Sequence, residues 1–204
     1  MSIGKFISAV RVTGPAGAHE PVNAWCQDAA AGVSCGGNVY RYRLLNHPVA
    51  MVLVDSDDAM AQGRAIDKLE ARQSAFGRER FSAGQIAQAI RPDSAPDPRD
   101  YPLLYAVWFT APDNRADELH RWYDEEHVPM LMACPSWMAV RRFQVAQRPR
   151  HGATTFLALH YLSDVLALSS PERDASRRTA WRDRMAREEW FRGTYQIFLR
   201  ERDL

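Results

Sequence analysis

The sequence predicts an α+β fold made of two consecutive units, each with the element order β-α-β-β-α-β. Three observations predict it: strand and helix patterns occur twice in one order, matching elements contain similar residues, and one Pro-rich segment separates the halves. Such a unit forms a four-stranded antiparallel sheet with both helices on one face, which leaves the other face bare. We therefore expect the two sheets to pack face to face around a ligand-sized interior.

Apolar patterns define the elements of the first half. Strands are predicted over residues 6–12, 38–45, 49–55 and 85–90, and helices over residues 21–31 and 59–76. The segment 92–98 has the sequence Pro-Asp-Ser-Ala-Pro-Asp-Pro, which is typical of a linker. The predicted organisation is a first unit over 1–92, a linker over 93–100 and a second unit over 101–204.

The second half repeats this order. Strands are predicted over residues 103–110, 139–146, 155–162 and 195–200, and helices over residues 115–127 and 176–189. Asp113 or Asn114 is expected to cap the first of these helices. Pro129 is expected to end it near His127 or Val128, because proline disfavours the helical conformation of the residue before it.

Residue matches between the halves predict an internal duplication. The segment 9–15 (AVRVTGP) aligns with 106–112 (AVWFTAP) at an offset of 97 residues, and Trp25 aligns with Trp122 at the same offset. Later matches have larger offsets, as loop insertions require. At the offset of 97, Tyr123, Glu126 and His127 correspond to Cys26, Ala29 and Ala30. We therefore expect only the second half to supply chemistry, with the first half closing the fold around it.

Composition argues against nucleic-acid and membrane partners. Lysine and arginine total 26 against 25 aspartates and glutamates, which gives a net charge of +1. No apolar run approaches the ~20 residues of a membrane helix, and the N-terminus does not have the pattern of a secretory signal. The three cysteines, Cys26, Cys35 and Cys134, are expected to be reduced thiols in a cytoplasmic protein, with a Cys26–Cys35 pair as the alternative.

Candidate catalytic residues concentrate in the segment 118–129 (ELHRWYDEEHVP). His127 is a candidate general acid or base because an unperturbed imidazole titrates near neutral pH; the alternative is a histidine stabilised by the helix dipole. Glu126 either orients this imidazole or is a solvated carboxylate. Tyr123 either donates a hydrogen bond to a developing oxyanion or only packs. Asp124 is a second candidate acid.

Candidate binding residues lie on the neighbouring elements. Trp108, Trp122 and Trp137 offer flat apolar surfaces for a ligand, although packing is the more frequent role of tryptophan. The guanidinium of Arg142 can hold a carboxylate or a phenolate. His160 either lines the cavity or is a core histidine with a hydrogen-bond partner.

Neither a metal site nor a nucleic-acid surface is predicted. The helical spacing of His120, Asp124 and His127 is compatible with metal ligation, but it is too common to carry that prediction. The segment 173–192 alternates arginines with acids and has an apolar stripe of Trp181, Met185 and Trp190, which indicates one amphipathic helix. The expected cofactor is none.

The segment 119–131 (LHRWYDEEHVPML), followed by 134–137 (CPSW) and 141–143 (RRF), resembles the EthD-like members of the dimeric α/β-barrel superfamily. These proteins share a Trp-Tyr-acid-x-Glu-His-x-Pro run; Ser136 stands where they usually have glycine. The resemblance implies two ferredoxin-like repeats packed sheet to sheet as a pseudo-dimeric α/β barrel. It also implies lyase, dehydratase, decarboxylase, isomerase or cofactor-free oxygenase activity on small aromatic or polyketide-like molecules, typically without metal.

The functional hypothesis is a cofactor-independent acid/base enzyme acting on a small aromatic or polyketide-like molecule in a barrel cavity. Elimination, decarboxylation and isomerisation are the expected reaction types. The alternatives are a cofactor-free monooxygenase, a non-catalytic barrel that binds a small ligand or haem through His127 or His160, and a structural unit that drives oligomerisation. A monomer or a homodimer is expected.

Overall fold

The structure is a computed structural model that describes residues 4–33, 37–71, 75–92, 97–146 and 152–202. The elements of the first half are β1 (Phe6–Thr13), α1 (His19–Ala31), β2 (Asn38–Leu44), β3 (Val49–Ser56), α2 (Ala59–Ala71) and β4 (Gly77–Ile90). Those of the second half are β5 (Leu103–Pro112), α3 (Ala116–Trp122), α4 (Val128–Met132), β6 (Trp137–Val145), β7 (Ala153–Leu162), α5 (Pro171–Ser176), α6 (Ala180–Met185) and β8 (Thr194–Glu201). The predicted order β-α-β-β-α-β occurs in both halves, although each predicted helix of the second half corresponds to two α-helices, α3 with α4 and α5 with α6.

The chain forms two compact units, whose boundaries fall inside strands. The first unit contains Met1–Gln85 and Ile197–Leu204, and the second contains Ile86–Gln196. Strand β4 begins at Gly77, well before the predicted start at residue 85, so the prediction for this strand was too short.

In the first unit, five strands pair antiparallel in the order β4-β1-β3-β2-β8. Helices α1 and α2 cover the sheet with small and branched apolar side chains, including Val22, Cys26 and Leu69, which pack on Val10 and Val52. The helical residues recur at spacings of three and four, as an amphipathic helix requires. Burial raises the pKa of the Cys26 thiol to about 12, so this thiol stays protonated and unreactive.

Both cysteines that the structure describes are free thiols. Cys26 and Cys134 are buried and free, and Cys35 lies outside the described residues. Within the described residues, no helix is long and apolar enough to cross a membrane.

In the second unit, β7 lies between β5 and β6, and both pairings are antiparallel. The register places Tyr105 of β5 and Val140 of β6 directly opposite His160 of β7. Trp137, at the start of β6, is fully buried and precedes an irregularity in the pairing. These three strands therefore present their side chains to the helical segments of the same unit in a fixed register.

In place of the helix predicted over 176–189, the structure has two short helices, α5 and α6, of which α5 ends at Ser176 and α6 covers Ala180–Met185. Thr179 has an extended backbone (φ −85°, ψ 150°), and its hydroxyl accepts a hydrogen bond from the Arg182 N–H (3.2 Å) as the N-cap of α6. Helix α5 is capped in the same way by Ser170. The prediction was wrong because the capping preference of Thr179 outweighed the helical periodicity around it.

Candidate functional site

The second unit contains a cavity of about 290 Å³ lined by aromatic, imidazole and guanidinium groups. This volume lies near the lower end of the range for small-molecule sites. The lining residues are Tyr105, Val107, Phe109, Trp122, Tyr123, His127, Leu131, Trp137, His160, Arg173, Arg177, Arg182, Phe191, Arg192, Gly193 and Tyr195. Five of the nine residues predicted for the site are among them: Tyr123, His127, Trp122, Trp137 and His160.

Strand alternation explains which residues of β5 reach the cavity. Tyr105, Val107 and Phe109 occur at every second position and line it together. Trp108, between them, belongs to the opposite face of the strand and is not among the lining residues. The predicted ligand contact by Trp108 therefore has no place in this cavity.

His127 was predicted to lie at the end of a helix. It lies instead inside a continuous helical segment. Helix α3 continues through a π-helical turn over Tyr123–His127 into α4, and the Val128 N–H donates to the carbonyl of Tyr123, five residues earlier. Pro129 is tolerated because it lies in the first turn of α4, directly after the π turn. At that position its missing N–H removes no α-helical hydrogen bond. The π turn thus keeps His127 on the cavity side of an uninterrupted helix.

The imidazole of His127 is enclosed by two aromatic rings. Its centroid lies 4.3 Å from the stacked Trp122 ring and 5.4 Å from the perpendicular Tyr123 ring. Its buried Nδ1 has no hydrogen-bond partner among the described residues. Burial lowers the pKa of His127 to about 3; a hydrogen bond to the backbone of Ser176 opposes this shift, and the positive charges of Arg182 and Arg173 add to it. At neutral pH the ring is therefore uncharged, and it takes up a proton only where a nearby negative charge stabilises the protonated form.

His160 is the second imidazole of the cavity, and its tautomer follows from its partner. The indole N–H of Trp137 donates to its Nδ1 at 3.1 Å, and both residues are fully or almost fully buried. Burial also lowers the pKa of His160 well below its ordinary value, with help from His127 and Arg173. Since the neutral ring accepts at Nδ1, its proton is on Nε2, which makes His160 a hydrogen-bond donor.

Tyr123 remains a phenol throughout the physiological range. Burial raises its pKa, and the guanidinium of Arg142, centred 5.1 Å from the ring centroid, only partly opposes this. A protonated hydroxyl beside a neutral imidazole can donate a hydrogen bond to an oxyanion, which is the role predicted for it.

Glu126 does not contact the imidazole that it was predicted to orient. One of its carboxylate oxygens accepts from the Trp122 indole N–H at 3.0 Å and from the Thr179 hydroxyl at 2.5 Å. The carboxylate therefore fixes Trp122, which in turn stacks on His127. It also joins the π turn to the cap of α6, so its place in the site is indirect.

Asp124 and Arg142 form a separate cluster. Arg142 donates to Asp124 at 2.5 Å and lies 3.4 Å from His120 Nδ1. Asp124 and Arg142 line another cavity, of about 510 Å³, together with the end of β4 and with Pro129. Neither residue lines the cavity of His127, and no group of three potential metal ligands occurs among the described residues.

Sequence reasoning missed the arginines of the cavity. Arg173, Arg177, Arg182 and Arg192 all line it, although the segment that contains them was interpreted as one solvated amphipathic helix. The helix is interrupted at Thr179, between α5 and α6. Arg173, Arg177 and Arg182 then lie close enough to His127 to lower its pKa. An arginine-rich segment interrupted by a threonine cap was the available signal.

Gly193 is required for the close approach of Phe109. A Cβ at this position would lie 2.6 Å from Phe109 Cζ, and the Phe109 ring stacks on Phe191 at 5.0 Å. We expect Gly193→Ala to reduce the free energy of unfolding by about 1 to 3 kcal/mol, because the two rings must move. Urea denaturation of wild type and Gly193→Ala measures this difference in the free energy of unfolding. Gly63→Ala, in α2 with no atom within 4 Å, is the control and should be neutral or stabilising.

Acid is expected to destabilise the protein through both cavity histidines. The pKa of His127 falls from 6.5 in the unfolded chain to about 3 in the folded chain, so between these values only the unfolded chain binds the proton. The corresponding stability is complete above pH 6.5 and is lost as the pH falls towards 3. Wild type should lose free energy of unfolding between pH 7 and pH 5. We expect His127→Gln or His160→Gln to make this loss smaller by about 1 to 2 kcal/mol.

Urea denaturation at the two pH values tests this expectation, with His19→Gln at an exposed position as the control. Equal pH dependence in wild type and in both cavity variants would contradict it.

Sequence comparison identifies no relatives, whereas structural comparison does. No protein-family model and no curated protein matches the chain. An anthrone oxidase-like protein matches with a TM-score of 0.69 and 9% identity, over 97% of this chain and 92% of that chain. A monooxygenase-like protein from Lactobacillus acidophilus gives 0.60 and 7%, over 96% and 94%. The heme-degrading enzyme of Listeria monocytogenes gives 0.54 and 6%, over 96% and 99%.

At these identities the likeness shows the fold alone. The chain has an α+β fold with eight strands in its described part, and every pairing described above is antiparallel. The solved structures that it matches have the same fold over nearly the whole chain. Their differing activities leave the reaction to be argued from the cavity itself.

Proposed function

We propose that the second unit is the catalytic unit of an enzyme that removes a proton from a small aromatic or polyketide-like molecule. The observation that carries this proposal is the pair of uncharged imidazoles, His127 and His160, in one aromatic cavity. An uncharged imidazole has a lone pair that can accept a proton, and the negative charge that develops on the substrate in an enclosed site stabilises the protonated ring.

The proposed roles follow from the hydrogen-bond states of the groups. His127 is the base, because its ring is neutral and Nδ1 has no partner in the described residues. His160 and Tyr123 donate hydrogen bonds to the oxygen on which negative charge develops, since Trp137 directs the His160 proton to Nε2 and burial keeps Tyr123 protonated. Trp122 positions His127 by stacking, and Glu126 holds Trp122.

Reaction of the resulting carbanion with oxygen is one proposed outcome. The likeness to an anthrone oxidase-like protein and to a monooxygenase-like protein supports it. For an anthrone, one molecule of O2 is consumed: one oxygen atom becomes the new quinone carbonyl, and the other leaves as water with the two hydrogens of the oxidised carbon. The base takes up the first of these hydrogens as a proton.

Elimination or isomerisation is the second proposed outcome. A base and a hydrogen-bond donor in the same cavity favour it, because such reactions take a proton from one atom of the substrate and deliver a proton to another. Decarboxylation belongs to the same group: loss of CO2 leaves a carbanion, which the site stabilises and which then takes up a proton. Oxygen uptake separates this outcome from the first.

Haem does not fit this cavity. The volume of about 290 Å³ suits a small ligand, and a porphyrin macrocycle needs more room than that. We therefore assign no step to haem, although a matching structure is a heme-degrading enzyme. The predicted small-molecule partner remains the basis of the proposal.

The tandem organisation belongs to the same proposal. We infer that the two halves of the sequence, residues 1–92 and 101–204, arose by duplication with residues 93–100 as the linker, and that only the second half retained catalytic groups. The repeated element order supports this inference. The protein is proposed to be cytoplasmic and to be a monomer or a homodimer, which size-exclusion chromatography with light scattering would test.

Hydrogen exchange tests the shared first step. Anthrone is incubated with the protein in D2O without oxygen, and deuterium incorporation at its methylene carbon is measured by NMR against a protein-free sample. Catalysed exchange is the expected result, and admission of oxygen then shows whether the carbanion is oxidised. Exchange at the protein-free rate for anthrone and for a panel of phenolic ketones would contradict the proposal.

A further inference from the structure

Four arginines line the cavity without a carboxylate partner among the residues that the structure describes. Arg173, Arg177, Arg182 and Arg192 line it, and within the described part of the chain none of them forms an ion pair. Two solvent-exposed arginines of the same segment do form ion pairs: Arg178 with Asp174 and Arg184 with Glu118. The positive charges that line the cavity are therefore not offset by a carboxylate of the described residues.

Backbone contacts position two of these guanidinium groups without neutralising them. Arg173 donates to the carbonyl of Leu168 at 2.6 Å, and its guanidinium carbon lies 5.8 Å from the centroid of the Tyr105 ring. Arg182 donates to the carbonyl of Arg177 at 3.2 Å. Both side chains are partly buried, so their mutual repulsion is screened less than it would be at an exposed surface.

A bound anion would relieve this concentration of charge. The residues beside the arginines are aromatic, with Tyr105 and Trp122 in the same lining. A guanidinium binds a carboxylate through two parallel hydrogen bonds, and an aromatic surface binds the ring that carries it.

We propose that the substrate is an aromatic carboxylate whose acid group is held by Arg173 and Arg182. That the bound molecule is a substrate rests on the proposed function. That the cavity binds an aromatic carboxylate does not depend on any reaction. The carboxylate would fix the ring beside His127. The remaining arginines, Arg177 and Arg192, would balance the second negative charge that proton removal creates.

Calorimetric titration with 2-naphthoate, 2-naphthamide and 2-naphthyl phosphate tests the site. We expect wild type to bind the carboxylate at least tenfold more tightly than the amide, and Arg173→Gln and Arg182→Gln to abolish that preference. Arg178→Gln is the matched control: it removes one positive charge from the same segment, at a residue that is paired and exposed. It should keep the preference.

Three results would overturn the proposal: equal affinity for acid and amide, tighter binding of the phosphate, or loss of the preference in Arg178→Gln to the same extent. Failure of all three probes to bind would also overturn it. Because no turnover is needed, the outcome is separate from that of the exchange experiment. Carboxylate binding without catalysed exchange would retain the anion site and remove the proposed reaction.

Discussion

Replacement of His127 by glutamine is expected to lower catalysed hydrogen exchange, and any turnover that follows it, by about two to four orders of magnitude. Glutamine preserves much of the polarity and flat shape beside Trp122, but it has no basic nitrogen. Because the pKa of His127 is lowered to about 3, its neutral ring is the form present at pH 7. The full loss of exchange should therefore be measurable at neutral pH.

The matched control is His120→Gln. His120 is on the same helical segment and is also partly buried, but it lies beside Arg142 and does not line the cavity of His127. Circular dichroism and urea denaturation at pH 7 establish that both variants are folded. Equal exchange rates in wild type and His127→Gln would remove this imidazole from the mechanism, and an equal loss in both variants would point to the helix instead.

The strands were predictable from sequence because their apolar runs are short and bounded by turn residues. Strands β1, β3 and β7 begin and end within two residues of their predicted limits. Strand β4 was not, since its first half (Gly77 to Gln85) is polar and exposed in several places and has no strong period. Pairing with β1 holds that part in the sheet, and such pairing leaves no local signal.

The site was predictable as a set of residue types and only partly as an arrangement. His127, Tyr123 and Trp122 were found because they are close in sequence and lie on one helical face. The partners of Glu126 and Arg142 were not, because a π turn shifts the residues after Tyr123 around the helix axis relative to an α-helical projection. The contribution of Arg173 required knowledge of where α5 ends.

The second large effect is expected from Trp137→Phe, which should lower catalysed exchange roughly tenfold to a hundredfold and the free energy of unfolding by about 1 to 3 kcal/mol. Phenylalanine keeps most of the buried ring but cannot donate to His160 Nδ1, which Trp137 reaches at 3.1 Å. A buried acceptor then loses its partner, and the proton is no longer directed to Nε2. His160 would present a mixture of donor and acceptor states to the substrate.

Nitrogen-15 chemical shifts of labelled histidine distinguish this positioning role from simple loss of packing, because they report which ring nitrogen carries the proton. Trp190→Phe is the control, since the buried indole nitrogen of Trp190 has no hydrogen-bond partner among the described residues. That variant removes an indole N–H without breaking a bond and should change neither the His160 spectrum nor the exchange rate. If Trp137→Phe left His160 protonated at Nε2 and exchange at the wild-type rate, Trp137 would be a packing residue and His160 would set its own tautomer.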